Sequence, residues 1–326
     1  MKRFNSTMVL TIGILALVLA PAKVAALDTL TMAIPTKSFQ QVIYPLAQER
    51  GYMREEGIDL KITYIEPTPS IQALLAGSVQ FTAAGSSALV AVTKADAPLK
   101  TVLAVNDRVH QWLLTRPEIG SPKALKGKKI ATTGIAAIAT FMLKQILARH
   151  GLDPNQDLIY LDPGSGNQIT ALLAGAVDAA ILSVEQRYVG MEKGMKELFY
   201  FGTEVKNSWG TLATSDRVIK EQPKFVAGFI KAALKALRLM HQDRETTVAA
   251  VVKFSGVERN MAGRVYDDLI GTFTRGGTVD EETQKNDLDI IRQVAAVKEP
   301  VPAGRAYDFS FAAEADRQLM KTNWRP

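Results

Sequence analysis

The sequence predicts an α/β protein of two lobes. Each lobe is a β-sheet flanked by helices; a two-strand hinge joins them, and a helical C-terminal extension lies on the first lobe. Three observations carry this reading. The string "ALLAG" occurs at Ala73–Gly77 and again at Ala171–Gly175. Around each copy, strand-like and helix-like segments alternate in the same order. Beyond about residue 220 the alternation gives way to continuous helical periodicity.

The first 26 residues stand apart. Lys2 and Arg3 precede the apolar run "MVLTIGILALVLA" (Met8–Ala20), and Val24-Ala25-Ala26 supplies small residues where cleavage is expected. This reads as a cleaved secretory signal, since the run is short for a membrane span; an uncleaved anchor is the alternative. Without its three basic residues (Lys2, Arg3, Lys23), 36 of the 39 basic residues face 33 acidic ones, a net of +3. No basic run is interleaved with aromatics, so nothing calls for nucleic acid. The chain of 326 residues has no cysteine. That excludes disulfides, thiol catalysis, Cys-ligated metals and lipid attachment through an N-terminal Cys. A free periplasmic protein, stabilised by its apolar core, fits these features.

The elements follow in order. Leu30–Pro35 reads as a strand, a helix ends in "LAQERGY", a strand runs through Leu60–Ile65, and a second helix through Ile71, Leu74 and Leu75 ends at Gly77. Val79–Ala83 follows as a short strand that leads to Ser86-Ser87. The second copy repeats this with strand Lys128–Gly134, a helix to Gly151, strand Leu158–Leu161, a helix through Ile169, Leu172 and Leu173 to Gly175, and strand Val177–Leu182 before Ser183. Such β-α-β-α-β units call for parallel sheets with right-handed crossovers. Extended segments bracket the second copy, within Thr101–Glu118 and at Ser208–Asp216, and form the candidate hinge. Helices are expected at Glu221–Met240, Thr246–Phe254, Asn260–Gly271, Glu281–Val297 and Phe311–Met320. The division is then 1–26 signal, 27–113 first part of lobe 1, 114–211 lobe 2, and 212–326 the return to lobe 1.

Ligands of open α/β sheets bind beyond the carboxyl ends of the strands. Two lobes facing each other there make a cleft that closes by hinge motion. The residues just past each strand are rich in hydroxyls and glycine and precede helix starts, where unpaired N–H groups favour an anion. Ser70 and Asn167 read as helix N-caps. The candidate ligand-binding residues are Lys37, Ser38, Ser86, Ser87, Thr133, Gly134, Ser165, Ser183, Glu185 and Arg187. Glu185 would repel an anion or grip a donor. Arg187 would neutralise Glu185 or bind the ligand, and a solvated helix start is the plain alternative for both. Trp112 and Trp209 are placed either to stack on a planar ligand or to pack. Arg108 reads as surface.

The run "RPEIGSPKALKGKKIATTGIAAIATFMLKQILARHGLDP", followed by "ALLAGAVDAAILS", resembles the second lobe of the nitrate/sulfonate/taurine-type substrate-binding proteins of ABC importers. These are related to the family that binds thiamine-pyrimidine precursors. In that family the pattern S-x-x-D/A-L-K-G-K-K-I-A leads into a glycine/hydroxyl anion-binding turn, matched here by Ser121–Ala131 and Thr132–Gly134. The likeness spans about Leu27–Arg217. It implies a type II periplasmic-binding-protein fold that traps a small ligand, either anionic (sulfonate, nitrate-like or carboxylate) or heteroaromatic. It also implies delivery to an ABC permease and its ATPase by a monomeric receptor without cofactor or metal. Val184-Glu185 replaces the prolines that family members often carry there.

The three histidines, His110, His150 and His241, are far apart in sequence, and neither H-E-x-x-H nor G-x-S-x-G occurs. The reading is therefore a binding protein with no catalytic residue. A sensory receptor of the same fold serving a membrane kinase, and a pyrimidine-precursor enzyme, are the alternatives.

Overall fold

Each copy of the repeat folds as a β-α-β-α-β unit in the computed structural model, which describes residues 27–164 and 166–326. The secretory signal and Ser165 lie outside the described residues. Lobe 1 opens with β1 (Asp28–Ile34), α1 (Ile43–Glu49), α2 (Tyr52–Glu55), β2 (Ile58–Tyr64), α3 (Pro67–Ala76), β3 (Phe81–Thr82), α4 (Gly85–Ala95) and β4 (Leu99–Asn106). Lobe 2 holds β5 (Trp112–Thr115), β6 (Lys129–Ala131), α5 (Ile138–Arg149), β7 (Ile159–Leu161), α6 (Gln168–Leu173), β8 (Ala179–Leu182), α7 (Val184–Glu192), β9 (Lys196–Tyr200) and α8 (Phe201–Glu204). The chain returns through β10 (Trp209–Ser215), then α9 (Asp216–Glu221), α10 (Pro223–Gln242), α11 (Arg244–Ser255), α12 (Arg259–Leu269), α13 (Glu281–Val294), α14 (Ala303–Ala306) and α15 (Ser310–Lys321).

The sheets share one topology, β2-β1-β3-β10-β4 and β7-β6-β8-β5-β9. The repeat supplies three parallel strands to each. The fourth strand, β10 or β5, runs antiparallel to both of its neighbours. The expectation of parallel sheets is therefore corrected to mixed ones. The reason is directional: a chain crossing from the other lobe enters at the carboxyl ends of the parallel strands, so it must run against them. β4 and β10 lie side by side at this crossing, with Asn106 opposite Trp209. The strand β9, carrying Lys196 and Glu197, has no counterpart among the expected elements.

Local chemistry fixes the turns of the repeat. Gly77 (φ +81°) and Gly175 (φ +73°) end α3 and α6 in the left-handed region that side chains avoid. Gly85 answers a packing need instead. A Cβ there would lie 2.0 Å from Thr211 Oγ1 and 2.6 Å from the Thr211 carbonyl oxygen, so β10 presses directly on the first turn of α4. Ser70 differs from its expected role. It lies inside α3, fully buried, donating to the Pro67 carbonyl (2.7 Å) and accepting from Thr82 Oγ1 (3.0 Å).

The core of lobe 1 centres on α10, which starts at Pro223 and packs beside α1, α2 and α15. Phe229 is fully buried, stacked on Phe81 at 4.4 Å and on Tyr44 at 5.9 Å. Burying one such side chain contributes about 1.5–3 kcal/mol. Two helices of the return segment touch both lobes. Helix α13 packs against α4 of lobe 1 and α5 of lobe 2. Its Leu288 and Ile291 join the lobe 1 cluster around Leu89, while Ile290 joins the lobe 2 cluster around Met142 and Ile146. Helix α12 packs on α11 in lobe 1 and on α7 in lobe 2. No helix among the described residues is long and apolar enough to cross a membrane.

Candidate functional site

The loops at the carboxyl ends of both parallel trios adjoin the two crossovers. Ser86 of lobe 1 and Ile138 of lobe 2 meet the second crossover (Asn207–Trp209) around a void of only about 10 Å³. That is room for about one water at most.

The helix starts that follow these strand ends differ in how their N–H groups are engaged. Helix α4 has Ala84 at its cap, no side-chain cap and no acidic residue in its first turn. Ser86 and Ser87 are half-buried in that turn, and neither hydroxyl has a partner among the described residues. Helix α5 is likewise uncapped by a side chain, with Ala137 at its cap. The turn before it is braced from below. Thr132 Oγ1 donates to the Leu161 carbonyl (3.3 Å), Gln168 Nε2 to the Thr132 carbonyl (3.1 Å), and Thr140 Oγ1 to the Gly134 carbonyl (2.6 Å). Above the brace, Thr133 is exposed and Gly134 takes φ +133°. Among the helix starts without a side-chain cap, which also include α1, α3 and α6, those of α4 in lobe 1 and α5 in lobe 2 thus offer N–H groups and partial positive charge.

Helix α7 is closed by its own residues. Ser183 Oγ accepts from the Gln186 N–H, and the Gln186 side chain accepts from the Ser183 N–H, a capping box. Ser183 Oγ also donates to Glu185 Oε2 at 2.9 Å. A carboxylate of the chain therefore already sits at this helix start. Arg187 is engaged away from the groove. Its Nε donates to Glu197 and its Nη1 to Asp268, both at 2.6 Å, and its guanidinium lies 5.2 Å from the Trp112 ring. Trp112 is buried and stacked on Tyr200 at 4.7 Å, which leaves no face for a planar ligand. Trp209 is half-buried against the small void. In lobe 1, Lys37 is exposed with its Nζ 5.3 Å over the Tyr64 ring, and Ser38 Oγ accepts from Thr36 Oγ1 (3.1 Å). The structure thus brings Ser86, Ser87, Thr133 and Gly134 to open helix starts. Ser183, Glu185 and Arg187 are tied into internal contacts.

The hinge carries polar groups that the sequence did not single out. Thr272 Oγ1 donates its one proton to the Leu269 carbonyl (2.7 Å). It must therefore accept from both Asn106 Nδ2 (3.3 Å) and His110 Nε2 (2.6 Å). That assigns the proton of His110 to Nε2 and leaves Nδ1 a bare acceptor. Burial pushes the His110 pKa down to about 3, so the ring is neutral. Asp287, on α13, anchors the second crossover. It is buried and accepts from Asn207 Nδ2 (3.0 Å), the Ser208 N–H (3.0 Å), Ser208 Oγ (2.6 Å) and Tyr307 OH (3.1 Å). Burial outweighs these donors and raises its pKa to about 6. Among the described residues no cluster of His, Asp and Glu is arranged to hold a metal.

Comparison with known proteins agrees with this architecture. The fold matches a putative periplasmic sulfonate-binding protein, SsuA, of a sulfonate ABC transporter from Methylobacillus flagellatus KT, at TM-score 0.77 and 17% identity over 92% of this chain and 97% of that one. It matches the alkanesulfonate-binding protein SsuA from Xanthomonas axonopodis pv. citri, bound to MOPS, at TM-score 0.67 and 20% identity over 87% and 99%. An enzyme shares the fold as well. A mutant of the desulfurization enzyme DszB, in complex with biphenyl-2-sulfinic acid, matches at TM-score 0.67 and 14% identity over 89% and 99%. No curated protein matches the chain in sequence. The profile of the NMT1/THI5-like family matches residues 38–247, from the first groove loop through both sheets into α11, and the chain belongs to that family.

Proposed function

We propose that this protein is the solute-binding component of an ABC import system, and that it traps a small acidic ligand between its lobes. The observation that carries this reading is the pair of uncapped helix starts, α4 from lobe 1 and α5 from lobe 2. Ser86 and Ser87 in the first turn of α4 and Thr133 in the loop before α5 supply hydroxyl donors there, while the Gly134 N–H is given to Thr132 Oγ1 (3.4 Å), and Lys37 and Ser38 extend the rim in lobe 1. A sulfonate, nitrate-like or carboxylate group is the chemistry that such donors hold best. The sulfonate-binding structures that share the fold support the reading, as does family membership. The signal-like first 26 residues support a periplasmic location for the mature chain, where a monomer would present its closed form to the permease and its ATPase.

Catalysis is not part of the proposal, although an enzyme shares the fold. The chain has no cysteine to offer a thiol. Each histidine is engaged separately: His110 with Thr272, His150 with Glu204 and His241 with the Phe273 carbonyl. The test is a thermal-shift and calorimetric panel of sulfonates, nitrate, carboxylates, amines and neutral sugars. A binder raises the melting temperature by mass action. A response confined to amines or sugars would refute the acidic-ligand reading.

A further inference from the structure

Arg187 belongs to α7 of lobe 2, yet its side chain reaches the other lobe. Glu197, on β9 of lobe 2, holds Nε at 2.6 Å, and Nη1 reaches Asp268 on α12 of lobe 1 at 2.6 Å. Tyr188, next in sequence, donates its hydroxyl proton to the same Asp268, with the Arg264 carbonyl 3.3 Å from that oxygen. The Arg264 guanidinium in turn covers the Tyr188 ring at 3.8 Å and pairs with Glu192 at 2.7 Å. One face of α7 is thus joined to α12 by two ion pairs, a hydroxyl and a cation–π contact. Tyr188 is nearly buried and joins the apolar cluster that contains Val265 and Leu269.

The other contact between the return segment and lobe 2 has a different character. There α13 inserts Ile290 among Met142 and Ile146, and Asp287 ties α13 to the second crossover through buried hydrogen bonds. Lobe 2 is therefore held by two helices of the return segment. The α13 contact combines apolar packing with fully buried hydrogen bonds. On the α12 side the joining side chains remain partly accessible, at 17% for Arg187 and 35% for Asp268. Ion pairs of this kind separate at modest cost, whereas a packed apolar contact does not.

We propose that the α7–α12 ion cluster is a salt-sensitive latch on the groove, with the α13 contact as its fixed pivot. Arg187 and Asp268 are then positioning residues that set ligand affinity without touching the solute. Releasing Asp268 removes the Arg187 and Tyr188 side-chain contacts that tie α7 of lobe 2 to α12 of lobe 1. The inference rests on the groove as a ligand trap only in that the opening would admit the solute.

The absence of cysteine makes the test direct. Lys61→Cys and Gln156→Cys place spin labels at exposed positions, one on the outer strand β2 of lobe 1 and one just before the outer strand β7 of lobe 2. Pulsed dipolar distance measurement on the unliganded protein should show a longer-distance population in Asp268→Asn, with about a fivefold rise in its ratio to the short one, as expected for losing one partly exposed pair. Asp268→Glu keeps the charge and should stay with the wild type. Raising salt from about 0.05 M to about 1 M should shift the otherwise unmodified labelled protein the same way. The melting temperature of Asp268→Asn should stay close to wild type, which separates latch release from unfolding. Distances that respond neither to Asp268→Asn nor to salt would overturn the latch. If the distances respond but no acid binds, the latch stands and the solute reading falls. If acids bind while the distances stay fixed, the reverse holds.

Discussion

The substitution Ser86→Asp separates the proposed binding role of the α4 helix start from its structural role, because the two respond with opposite signs. The first turn of α4 has neither an acid nor a side-chain cap. An aspartate there reproduces what α7 already has, where Glu185 sits in the first turn. A carboxylate at a helix start stabilises by about 0.3–1 kcal/mol, so the variant should melt at or slightly above wild type. The same charge would meet an acidic ligand in the groove. Two like charges about 4 Å apart repel by about 1 kcal/mol in water and about 4 kcal/mol at an effective dielectric of 20. Affinity should therefore fall by roughly fivefold to a thousandfold, toward the upper end if closure excludes water. Calorimetry with whichever acid stabilises the wild type gives the affinity, and a thermal melt without ligand gives the stability. A variant that keeps wild-type affinity would remove α4 from the site. A variant that loses both affinity and several degrees of stability would show that the turn had been damaged rather than occupied.

Three further outcomes follow from the packing. Asp287 has a folded pKa near 6 against an ordinary value of 3.8, so the folded state binds the extra proton between those values. This group's contribution therefore declines as pH rises from about 4 to about 6, by roughly 3 kcal/mol in all, and chemical denaturation of Asp287→Asn should lack that slope. The same variant can keep its amide oxygen toward Asn207 and the Ser208 N–H and turn its NH2 to the Ser208 and Tyr307 hydroxyls, which accept as well as donate, so it should fold with the crossover intact. Phe229→Ala, which empties the stack between Phe81 and Tyr44, should cost about 3–5 kcal/mol in urea unfolding, and a cost below about 1 kcal/mol would contradict the packing described. Gly85→Ala forces a Cβ toward the Thr211 carbonyl and should destabilise by about 1–3 kcal/mol, more than Ala does at an exposed turn glycine. Equal stability of Gly85→Ala and wild type would mean that β10 does not press on α4.

The repeat and its strands were legible because strands next to helices leave two different periodicities in one sequence. Strand direction leaves none. Trp112–Thr115 and Trp209–Ser215 read as extended, but nothing in them says that they run against their neighbours; only the crossing of the chain does. The β9 sequence Lys196–Tyr200 escaped notice because Lys196 and Glu197 open it with charge on the sheet edge. Helical periodicity likewise told that α12 and α13 bury one face each, but not that the two faces would span both lobes. Within the groove, hydroxyls and glycines at strand ends were readable, while their engagement was not. Ser183 had a readable signal, since Gln186 follows at the capping-box spacing. Ser86 and Ser87 have no such partner three residues on. Neither Asp268 nor Thr272 leaves any mark in the sequence, because their partners lie about eighty and one hundred and sixty positions away.

The duplicated units have diverged in a way that bears on closure. By topology, α4 after β3 corresponds to α7 after β8, and α5 after β6 corresponds to the segment after β1 that leads into α1. Of each pair, one start is open and its counterpart is altered. Helix α7 is capped by Ser183 and Glu185, and α1 is preceded by a short 3-10 turn, Phe39–Gln41, and runs only seven residues. The starts of α4 and α5 are diagonal, the third unit of lobe 1 and the first unit of lobe 2, although α1, α3 and α6 also lack a side-chain cap. Neither lobe alone presents both. An acid held by α4 gains the donors of α5 only when the lobes approach, so its differential affinity favours the closed form over the open one. A symmetric arrangement with both strong starts in one lobe would bind an acid equally well open or shut, and the solute would then have no leverage on the shape that a membrane partner reads.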